Sequence, residues 1–381
     1  MTLPAADPTP VVSCPRARRL ARRVLLGVAL GGLVGLLAFG SVLGLFPTVS
    51  GFVHLTALRT ATAGGVGALA LLALLLVVLL LRRGRRSAAV LLSAGGLTAL
   101  LLCLAVLAGQ VGRGFAAEAP SRPPAPAVGE TLRVVTANVY YRSDAYRDFL
   151  AAELRAGADV VGLQEADESV ARDVLADLVA TGRAAAGDWH VFTSDPVGAD
   201  GVASTSASVL LVADHLEPVG MDPATLPFSA AGAHTRLGPV VTVHTHAPVQ
   251  RSLVQTEWAR TVGENAGLCR AGTGSLVLGD FNATVDHRSL TEATDCVNAA
   301  ARVGGDGTDR VGTGRDGGGV PMLAYGTWPA DLPGWTGARI DHLLVDPDAY
   351  TTRSAAVLDV PGSDHRALRF DLALKSDPSV G

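Results

Sequence analysis

Three long runs without charged residues constrain this chain more than any other feature. They cover 24–46, about 61–81 and about 87–109. Because a helix rises 1.5 Å per residue, a run of roughly 21–23 residues can cross a hydrocarbon core of about 30 Å. Buried helices of soluble proteins rarely continue this far without a charge. We therefore predict three transmembrane helices in the first third of the chain.

Arginine residues are unevenly placed around the three runs. Five precede the first run, at 16, 18, 19, 22 and 23, and four fill the turn at 82–86, whereas the loop between the first two runs has only Arg59. Cytoplasmic loops carry the excess of Lys and Arg. We therefore expect the N-terminus and the 82–86 turn in the cytoplasm and the region after the third run outside the cell. A cleaved signal peptide in place of the first helix would leave this later topology unchanged.

Glycines recur every four residues in the first run, at Gly27, Gly31 and Gly35, and again at Gly40 and Gly44. This spacing of small residues lets helices approach closely. Two interpretations remain open, which are dimerisation of the protein and packing among the three helices of one chain.

Charge divides the chain into two parts. Residues 1–129 contain 12 arginines and two acidic residues, a net charge of +10, whereas 130–381 carry 19 basic and 33 acidic residues, a net charge of −14. The Pro- and Ala-rich stretch between them is typical of a semi-extended linker. The predicted organisation is a cytoplasmic tail (1–23), a transmembrane region (24–111), a linker (112–129), a folded domain (130–376) and a short tail (377–381).

Short Val- and Leu-rich runs alternate with amphipathic stretches after residue 130, a pattern typical of a mixed α/β domain. Polar residues stand repeatedly at the ends of these runs. Each position has an ordinary explanation by itself, such as turn capping, but six of them follow one another within one domain. In chain order they are Asn138; Gln164-Glu165; His244 with His246; Gly279-Asp280-Phe281-Asn282; Asp341-His342; and Ser363-Asp364-His365.

This ordered series resembles the endonuclease/exonuclease/phosphatase superfamily, which includes pancreatic-type DNases, apurinic endonucleases, neutral sphingomyelinases and inositol-phosphate phosphatases. Thr327-Trp328-Pro329 further resembles bacterial membrane-anchored members. The resemblance covers about 130–373 and implies an α/β fold, a four-layer α/β sandwich of two mixed β-sheets flanked by helices. Here the three transmembrane helices would precede it. The active site would lie where strand ends of both sheets converge.

The resemblance also implies a metal site. Glu165 is expected to bind the metal ion, Asn138 to support it or to donate a hydrogen bond to the phosphate, and Asp364 to act as a second ligand. Oxygen ligands of this kind indicate Mg²⁺, with Mn²⁺ as the alternative.

The same resemblance assigns catalytic roles. Asp280 is expected to orient or deprotonate the attacking water, and Asn282 to donate a hydrogen bond to the phosphoryl group. His365 would contact the phosphate or the water, while Asp341 bonds its other ring nitrogen and raises its pKa. His244 resembles the second site histidine. His246 replaces it if the alignment shifts by two residues.

Other segments are interpreted as structural or as loops. His342 lies on the opposite face of its strand from Asp341 and is interpreted as structural. The glycine-rich segment 303–319 has no phosphate-loop lysine and is interpreted as a loop that could close over the site. No role is assigned to the remaining histidines, which are His54, His190, His215, His234 and His287.

These observations lead to one functional expectation and two alternatives. We expect a multi-pass membrane protein with an extracellular, Mg²⁺-dependent hydrolase domain, acting on a phosphodiester or phosphomonoester of a small molecule or lipid headgroup. A domain charge of −14 with a single lysine argues against strong affinity for duplex DNA. The enzymatic alternative is an extracellular nuclease that cleaves DNA or RNA. The alternative from another class is a noncatalytic membrane receptor or scaffold.

The four cysteines fall in different environments. Cys14 lies in the predicted tail and Cys103 in the third run, whereas Cys269 and Cys296 would meet an oxidising compartment. A strand, a turn and a short returning helix could bring the last two together. We predict a Cys269–Cys296 disulfide, which would stabilise the fold by about 3–4 kcal/mol in the chain-entropy model. The alternative is two unpaired buried cysteines.

Overall fold

The computed structural model describes residues 15–40, 47–119, 131–141, 143–185, 187–194, 207–248, 255–301, 303–304 and 320–375. The chain divides into two compact units. One contains residues up to 38 and 62–107, and the other contains 39–61 and everything from 108 onward. Cys14, Gly44, the tail 377–381 and most of the glycine-rich segment 303–319 lie outside the described residues.

Among the described residues of the N-terminal third there are four helices, and three of them are long and apolar enough to cross a membrane. They are α1 (Pro15–Phe39), α2 (Ser50–Ala57), α3 (Arg59–Arg82) and α4 (Arg86–Arg113). The short α2 is the exception. Helix α1 differs from the predicted first run because it begins within the arginine-rich segment, where Arg is a good helix former.

The glycine repeat of α1 faces α4 within the first unit. A Cβ atom at Gly27 would lie 2.5 Å from the carbonyl oxygen of Leu91, and one at Gly31 would lie 2.4 Å from that of Gly95. Only glycine permits this approach of two backbones. The repeat is therefore used for packing within the chain.

Within the described residues, the second unit contains thirteen strands in two sheets. The strands are β1 (Glu118–Ala119), β2 (Thr131–Asn138), β3 (Val160–Gln164), β4 (Trp189–Thr193), β5 (Ser208–Ala213), β6 (Val219–Gly220), β7 (Ala230–Thr235), β8 (Gly238–His244), β9 (Leu276–Asp280), β10 (Val297–Asn298), β11 (Asp341–Val345), β12 (Tyr350–Asp359) and β13 (Arg366–Leu374). The flanking helices are α5 (Ser143–Arg155), α6 (Glu168–Ala180), α7 (Thr256–Ala266) and α8 (Arg288–Thr291).

Both sheets are mixed. The first has the strand order β1-β12-β13-β2-β3-β5-β4 and the second β10-β11-β9-β8-β7-β6. Strands β2 and β3 pair in parallel, as do β8 and β9, and the other pairs are antiparallel.

Alternate residues of each strand build the layers, because successive side chains point to opposite faces. Val134 of β2 and Leu278 of β9 belong to the same buried cluster, which lies between the sheets. Their neighbours face outward: Val135 packs with residues of α5 and α6, and Val277 packs with residues of α7 and α8. The layers are therefore, in order, helices, the first sheet, the second sheet and helices. This arrangement confirms the predicted four-layer sandwich.

The structure moves the predicted start of this domain. Strand β1 lies inside the stretch predicted as a linker and pairs with β12. The carbonyl oxygen of Arg113 accepts a hydrogen bond from Leu323 N at 2.9 Å, and that of Gly114 accepts one from Ala324 N at 2.9 Å. Residues 113–119 therefore belong to the folded unit, because their backbone bonds Leu323 and Ala324 at one end and the edge of β12 at the other. Residues 120–130 lie outside the described residues.

The segment between the first two apolar helices also belongs to the second unit rather than to a separate membrane region. Val53 of α2 is 1% exposed and packs in the cluster that contains Trp258, Phe281 and Leu290. The carbonyl oxygen of Thr48 accepts a hydrogen bond from Gln255 N at 2.7 Å. Helix α2 thus covers apolar side chains on the outer, helical layer of the second sheet.

The predicted disulfide is present and the alternative of two unpaired cysteines is excluded. Cys269 and Cys296 are bonded, with their Cα atoms 5.8 Å apart. The bond closes the chain segment that contains β9 and the residues after it. Cys103 is a free, buried cysteine of α4.

Candidate active site

Three neighbouring strands place three predicted site residues side by side. In the register of the second sheet, Asp280 at the end of β9 is paired with His244 on one side and with Asp341 on the other. Counted in steps of two along their paired strands, these residues fall on the same face as Leu278 and Leu343, which face the inner core. Since residues two apart in a strand point the same way, all three side chains are directed into the space between the sheets.

The first sheet meets this group through Asn138, the last residue of β2. Its amide nitrogen donates hydrogen bonds to Glu165 Oε1 and to Asp280 Oδ2, both at 3.1 Å. Behind it, Gln164 Nε2 donates to Thr242 Oγ1 of the second sheet at 2.8 Å. Polar side chains therefore join the two sheets at the edge where β2, β3, β8 and β9 end.

Unusual backbone conformations aim two of the site residues. Glu165 has φ of 52° and Asn282 has φ of 48°, in the left-handed region that non-glycine residues rarely adopt. Gly279 has φ of 142°, and a Cβ atom there would lie 2.0 Å from Val243 O, so only glycine fits. Strain of this kind is often found at functional sites, at a cost of about 1–3 kcal/mol per residue.

Asp341 and His365 form a hydrogen-bonded pair. His365 Nδ1 lies 3.0 Å from Asp341 Oδ2, and Nε2 of the same ring lies 3.8 Å from Asp280 Oδ2. Burial alone would lower the pKa of His365, but the charges of Asp341 and Asp280 outweigh it and raise this pKa to about 10. The imidazole is therefore cationic at neutral pH.

The carboxyl group of Asp280 is buried and closely surrounded. Burial raises its pKa, the charge of Asp341 raises it further, and His365 and His244 oppose both effects. The backbone N–H of Asn282 donates to its Oδ1 at 2.8 Å. A carboxylate with a raised pKa is a stronger base than an ordinary Asp.

His244 and His246 occupy different positions. His244 Nε2 lies 3.8 Å from Glu165 Oε1 and 3.7 Å from Asp280 Oδ2. The ring of His246 stacks on Phe228 instead, with centroids 3.9 Å apart, and its side chain is 40% exposed. The structure therefore brings His244 to the carboxylates, while His246 lies further out in the same cleft.

The side chain of Asn282 is already engaged within the protein. Its amide nitrogen donates to Thr245 O at 3.0 Å and lies 3.4 Å from Asp280 Oδ2. This differs from the expected donation to a phosphoryl group, which would require one of these bonds to be exchanged. In the structure Asn282 positions Asp280.

The Thr327-Trp328 motif supports the site from one side. Thr327 Oγ1 accepts hydrogen bonds from Ile340 N at 3.2 Å and Asp341 N at 3.3 Å, which fixes the start of β11. Trp328 Nε1 donates to Asp364 Oδ2 at 3.1 Å. The other oxygen, Asp364 Oδ1, is buried and has no hydrogen-bond partner among the described residues.

The oxygen donors of this region fit a hard divalent cation. Glu165 and Asp364 both line the cleft, and the unpartnered Asp364 Oδ1 is an available ligand atom. Asp280, Asp341 and His365 also have ligand atoms within 4.8 Å of one another. Asp341 and His365 are already hydrogen-bonded to each other, so the carboxylates of Glu165 and Asp364 are the better candidates.

A cleft of about 770 Å³ opens over these groups. The predicted site residues that line this cleft are Glu165, His244, Asp280, Asn282, Asp364 and His365. Asn138 and Asp341 lie behind this surface, each 1% exposed or less. The lining residues that sequence analysis missed are His54, Ala57, Leu58, Tyr140, Phe228 and Trp328 among others.

Only some of the missed residues left a signal in the sequence. Tyr140 follows Asn138 by two positions and Trp328 belongs to a recognised motif, so both could have been found. His54 stands between two apolar runs in no motif. His342 is fully buried, accepts a hydrogen bond from Asn298 Nδ2 at 2.8 Å and bonds Ala283 O at 2.8 Å, away from the cleft.

Comparison with known proteins gives similar folds at low sequence identity. Humanized TDP2 of D. rerio is 14% identical, with 64% of this chain and 98% of that chain covered and a TM-score of 0.42. An endonuclease/exonuclease/phosphatase family protein from Bacteroides thetaiotaomicron is 12% identical, with 65% and 99% covered and a TM-score of 0.40. The 3′ phosphatase NExo from Neisseria, bound to product DNA hairpin, is 17% identical, with 63% and 98% covered and a TM-score of 0.39. No curated protein matches the chain.

Family membership follows from a separate comparison with models of protein families. The model described as "Endonuclease/Exonuclease/phosphatase family" matches residues 135–365. That range is more than half of the chain, and it contains the converging polar residues from Asn138 to His365. The chain therefore belongs to the Endonuclease/Exonuclease/phosphatase family.

Proposed function

We propose that this chain is a metal-dependent hydrolase of phosphoric ester bonds. The observation that carries the proposal is the environment of the Asp280 carboxylate, which receives hydrogen bonds from the Asn138 amide and the Asn282 backbone and lies within 4 Å of two imidazoles. A buried base held among cationic and neutral donors at the mouth of a cleft suits the activation of water beside a phosphate.

The residues of the chain divide the work between proton transfer and charge stabilisation. Asp280, whose pKa is raised, accepts the proton of the attacking water. His365 carries a positive charge at neutral pH and presents Nε2 on the cleft side, where it stabilises a phosphoryl oxygen. Asp341 is a positioning residue, because it acts through Nδ1 of His365.

Glu165 and Asp364 would hold a divalent cation, Mg²⁺ or Mn²⁺. Such an ion, when bound, neutralises charge on the non-bridging phosphate oxygens and on the leaving oxygen. Asn138 fixes the Glu165 carboxylate by donating to Oε1, so that the ligand is oriented before the ion arrives.

The charge of the domain supports a small phosphoester or a lipid headgroup as substrate. Residues 130–381 have a net charge of −14 and one lysine, Lys375. Proteins that bind duplex DNA neutralise several phosphates with Lys and Arg, and this domain has a net excess of acidic groups instead. DNA or RNA cleavage is the alternative outcome of the substrate test below.

The arginine distribution supports a location outside the cell for the hydrolase domain. We test it with a reporter that is active only outside the cytoplasm. Fused after residue 375 it should be active, and fused within the 82–86 turn it should be inactive. The opposite pattern would place the domain in the cytoplasm.

The test of activity uses the full chain in detergent with bis(4-nitrophenyl) phosphate. We expect turnover with Mg²⁺ or Mn²⁺ and loss of turnover with EDTA. D280N should lower kcat by about 10²–10⁴, the usual contribution of a general base. H190A is the matched control, since His190 pairs with Asp214 outside the cleft.

Two results would contradict the proposal. The first is D280N with the turnover of the unchanged protein. The second is no metal-dependent hydrolysis of aryl phosphates, nucleotides, phospholipid headgroups or DNA, which would favour a noncatalytic receptor or scaffold.

A further inference from the structure

One wall of the active-site cleft comes from outside the part of the chain that matches the family. His54, Ala57 and Leu58, at the end of α2, line the same cleft as Asp280 and His365. The family match begins only at residue 135. This wall therefore lies outside the range that the family model matches.

Helix α2 is fixed to the framework that holds the catalytic loop. His287 Nε2 donates a hydrogen bond to Val53 O at 3.2 Å, and the Val53 side chain is packed with Trp258. Trp258 Nε1 in turn donates to Asn282 O at 2.9 Å. The wall and the Asp280–Asn282 loop consequently keep a fixed position relative to each other.

His54 brings an unused polar atom to this wall. Its Nε2 is buried and has no hydrogen-bond partner among the described residues. A buried ring nitrogen without a partner is costly to keep in the free protein. A phosphoester oxygen in the cleft would supply the missing partner.

The rest of the wall is apolar. Ala57 and Leu58 are joined in the cleft by Phe228, which is 40% exposed, and by Trp328. Leu58 directly precedes Arg59, the first residue of the apolar helix α3. A phosphate group alone would leave these apolar side chains without contacts, whereas a hydrocarbon chain next to the phosphorus would cover them.

We propose that α2 is the substrate-selecting wall of this site and that the substrate is a lipid-borne phosphoester. His54 Nε2 hydrogen-bonds an oxygen of the phosphoester, and Leu58 contacts the hydrocarbon chain carried by the same phosphate. The proposal rests on the hydrolase activity proposed above and specifies its substrate class.

The test uses the full chain in detergent and alkyl 4-nitrophenyl phosphates, from methyl to octyl, which share one leaving group. We expect kcat/KM to rise with chain length, by up to about fourfold for each methylene that becomes fully buried. L58N should flatten this rise, so that the ratio of kcat/KM between the octyl and methyl esters falls. L55N is the matched control, because Leu55 lies on α2 three positions before Leu58, is 38% exposed and does not line the cleft.

His54 is tested by a different pattern. H54A should lower kcat/KM by about 10–100-fold for every ester, as expected for a lost hydrogen bond to a charged group, without changing the dependence on chain length. H54Q, which can still donate, should recover part of the loss. If His54 had only a structural role, H54A would not lower kcat/KM for every ester while leaving the dependence on chain length unchanged.

The outcomes are distinguishable. If neither the ester series nor bis(4-nitrophenyl) phosphate is hydrolysed, the proposed hydrolase function fails, and this proposal fails with it. If bis(4-nitrophenyl) phosphate is hydrolysed and no alkyl ester is, only the present proposal is overturned. If the methyl ester is hydrolysed but chain length has no effect, or if L55N flattens the rise as much as L58N does, only the present proposal is overturned. If thermal unfolding shows that L58N is not folded, L58A is used in its place. If H54A has an unchanged kcat/KM, the assignment of His54 is overturned.

Discussion

Arg59 and Asp286 form an ion pair between the first residue of α3 and the segment that follows the Asp280–Asn282 loop. Arg113, the last residue of α4, pairs with the same carboxylate. The Asp286 side chain is 6% exposed and that of Arg59 is 15% exposed. The folded unit thus binds both of the chain segments that connect it to the apolar helices.

Removing Asp286 should destabilise the protein, because D286A leaves two arginines without their counter-charge. Loss of one partner of a buried pair costs about 3–5 kcal/mol, and we expect about 2–4 kcal/mol here since Arg113 is 30% exposed and partly screened by water. Thermal unfolding in detergent measures the effect. D148N on the exposed face of α5 is the control, and equal melting of D286A and the unchanged protein would contradict this expectation.

The pairing of His365 with Asp341 should set the alkaline limit of activity. The pKa of His365 is raised to about 10, so the protonated form persists up to that pH. D341N removes the largest contribution that raises this pKa, and the alkaline limb of the kcat/KM profile should move to lower pH, towards the ordinary histidine value of about 6.5. D364N removes a smaller contribution and should move it less. An alkaline limb at the same pH in D341N would show that another group controls it.

His342 should make the fold sensitive to mild acid. Burial, with a smaller contribution from Arg339, lowers its pKa to about 4. The neutral ring is therefore favoured in the folded state, and the stability it supports is complete above about pH 6.5 and lost as pH falls towards 4. The expected loss is about 2–4 kcal/mol over this interval. Unfolding measured from pH 7 to 4 should show a shallower slope in H342Q, and an unchanged slope would refute the assignment.

Two adjacent glycines of α1 should respond oppositely to alanine. A Cβ atom at Gly31 would lie 2.4 Å from Gly95 O and 2.9 Å from Thr98 Cβ, whereas nothing lies within 4 Å of one at Gly32. G31A forces two backbones apart and should cost about 1–3 kcal/mol, as other overpacked sites do. G32A should leave the thermal midpoint unchanged or raise it, because Ala is the better helix former. Equal effects of the two changes would contradict the observed packing of α1 on α4.

The family resemblance predicts the layered fold and the residues that converge, and local sequence explains the face to which those residues point. Asn138 and Asp280 end apolar strands and Asp341 begins one, and the period of two fixes the face to which they point. The Cys269–Cys296 bond joins segments only 27 positions apart. Both features depend on neighbouring sequence.

The features that escaped prediction depend on distant contacts or on strain. Helix α2 reaches the cleft through Val53 and His287, which no local pattern connects. β1 belongs to a Pro- and Ala-rich stretch, and its partner β12 lies more than 230 positions later in the chain. The left-handed conformation of Glu165 is imposed by the surrounding structure, since Glu rarely adopts it, whereas Asn adopts this region more readily, so the conformation of Asn282 carries less strain.

The attachment of α2 to the folded unit makes that unit discontinuous along the chain. His287 lies 234 positions after Val53, its hydrogen-bond partner. At a synthesis rate of about 5–20 residues per second, α2 waits roughly 12–50 s on the ribosome before this partner exists. The unit is therefore completed late in translation, after α3 and α4 have been made. A fragment beginning at residue 130 would lack both α2 and β1, and the apolar surface around Trp258 would stay open to water.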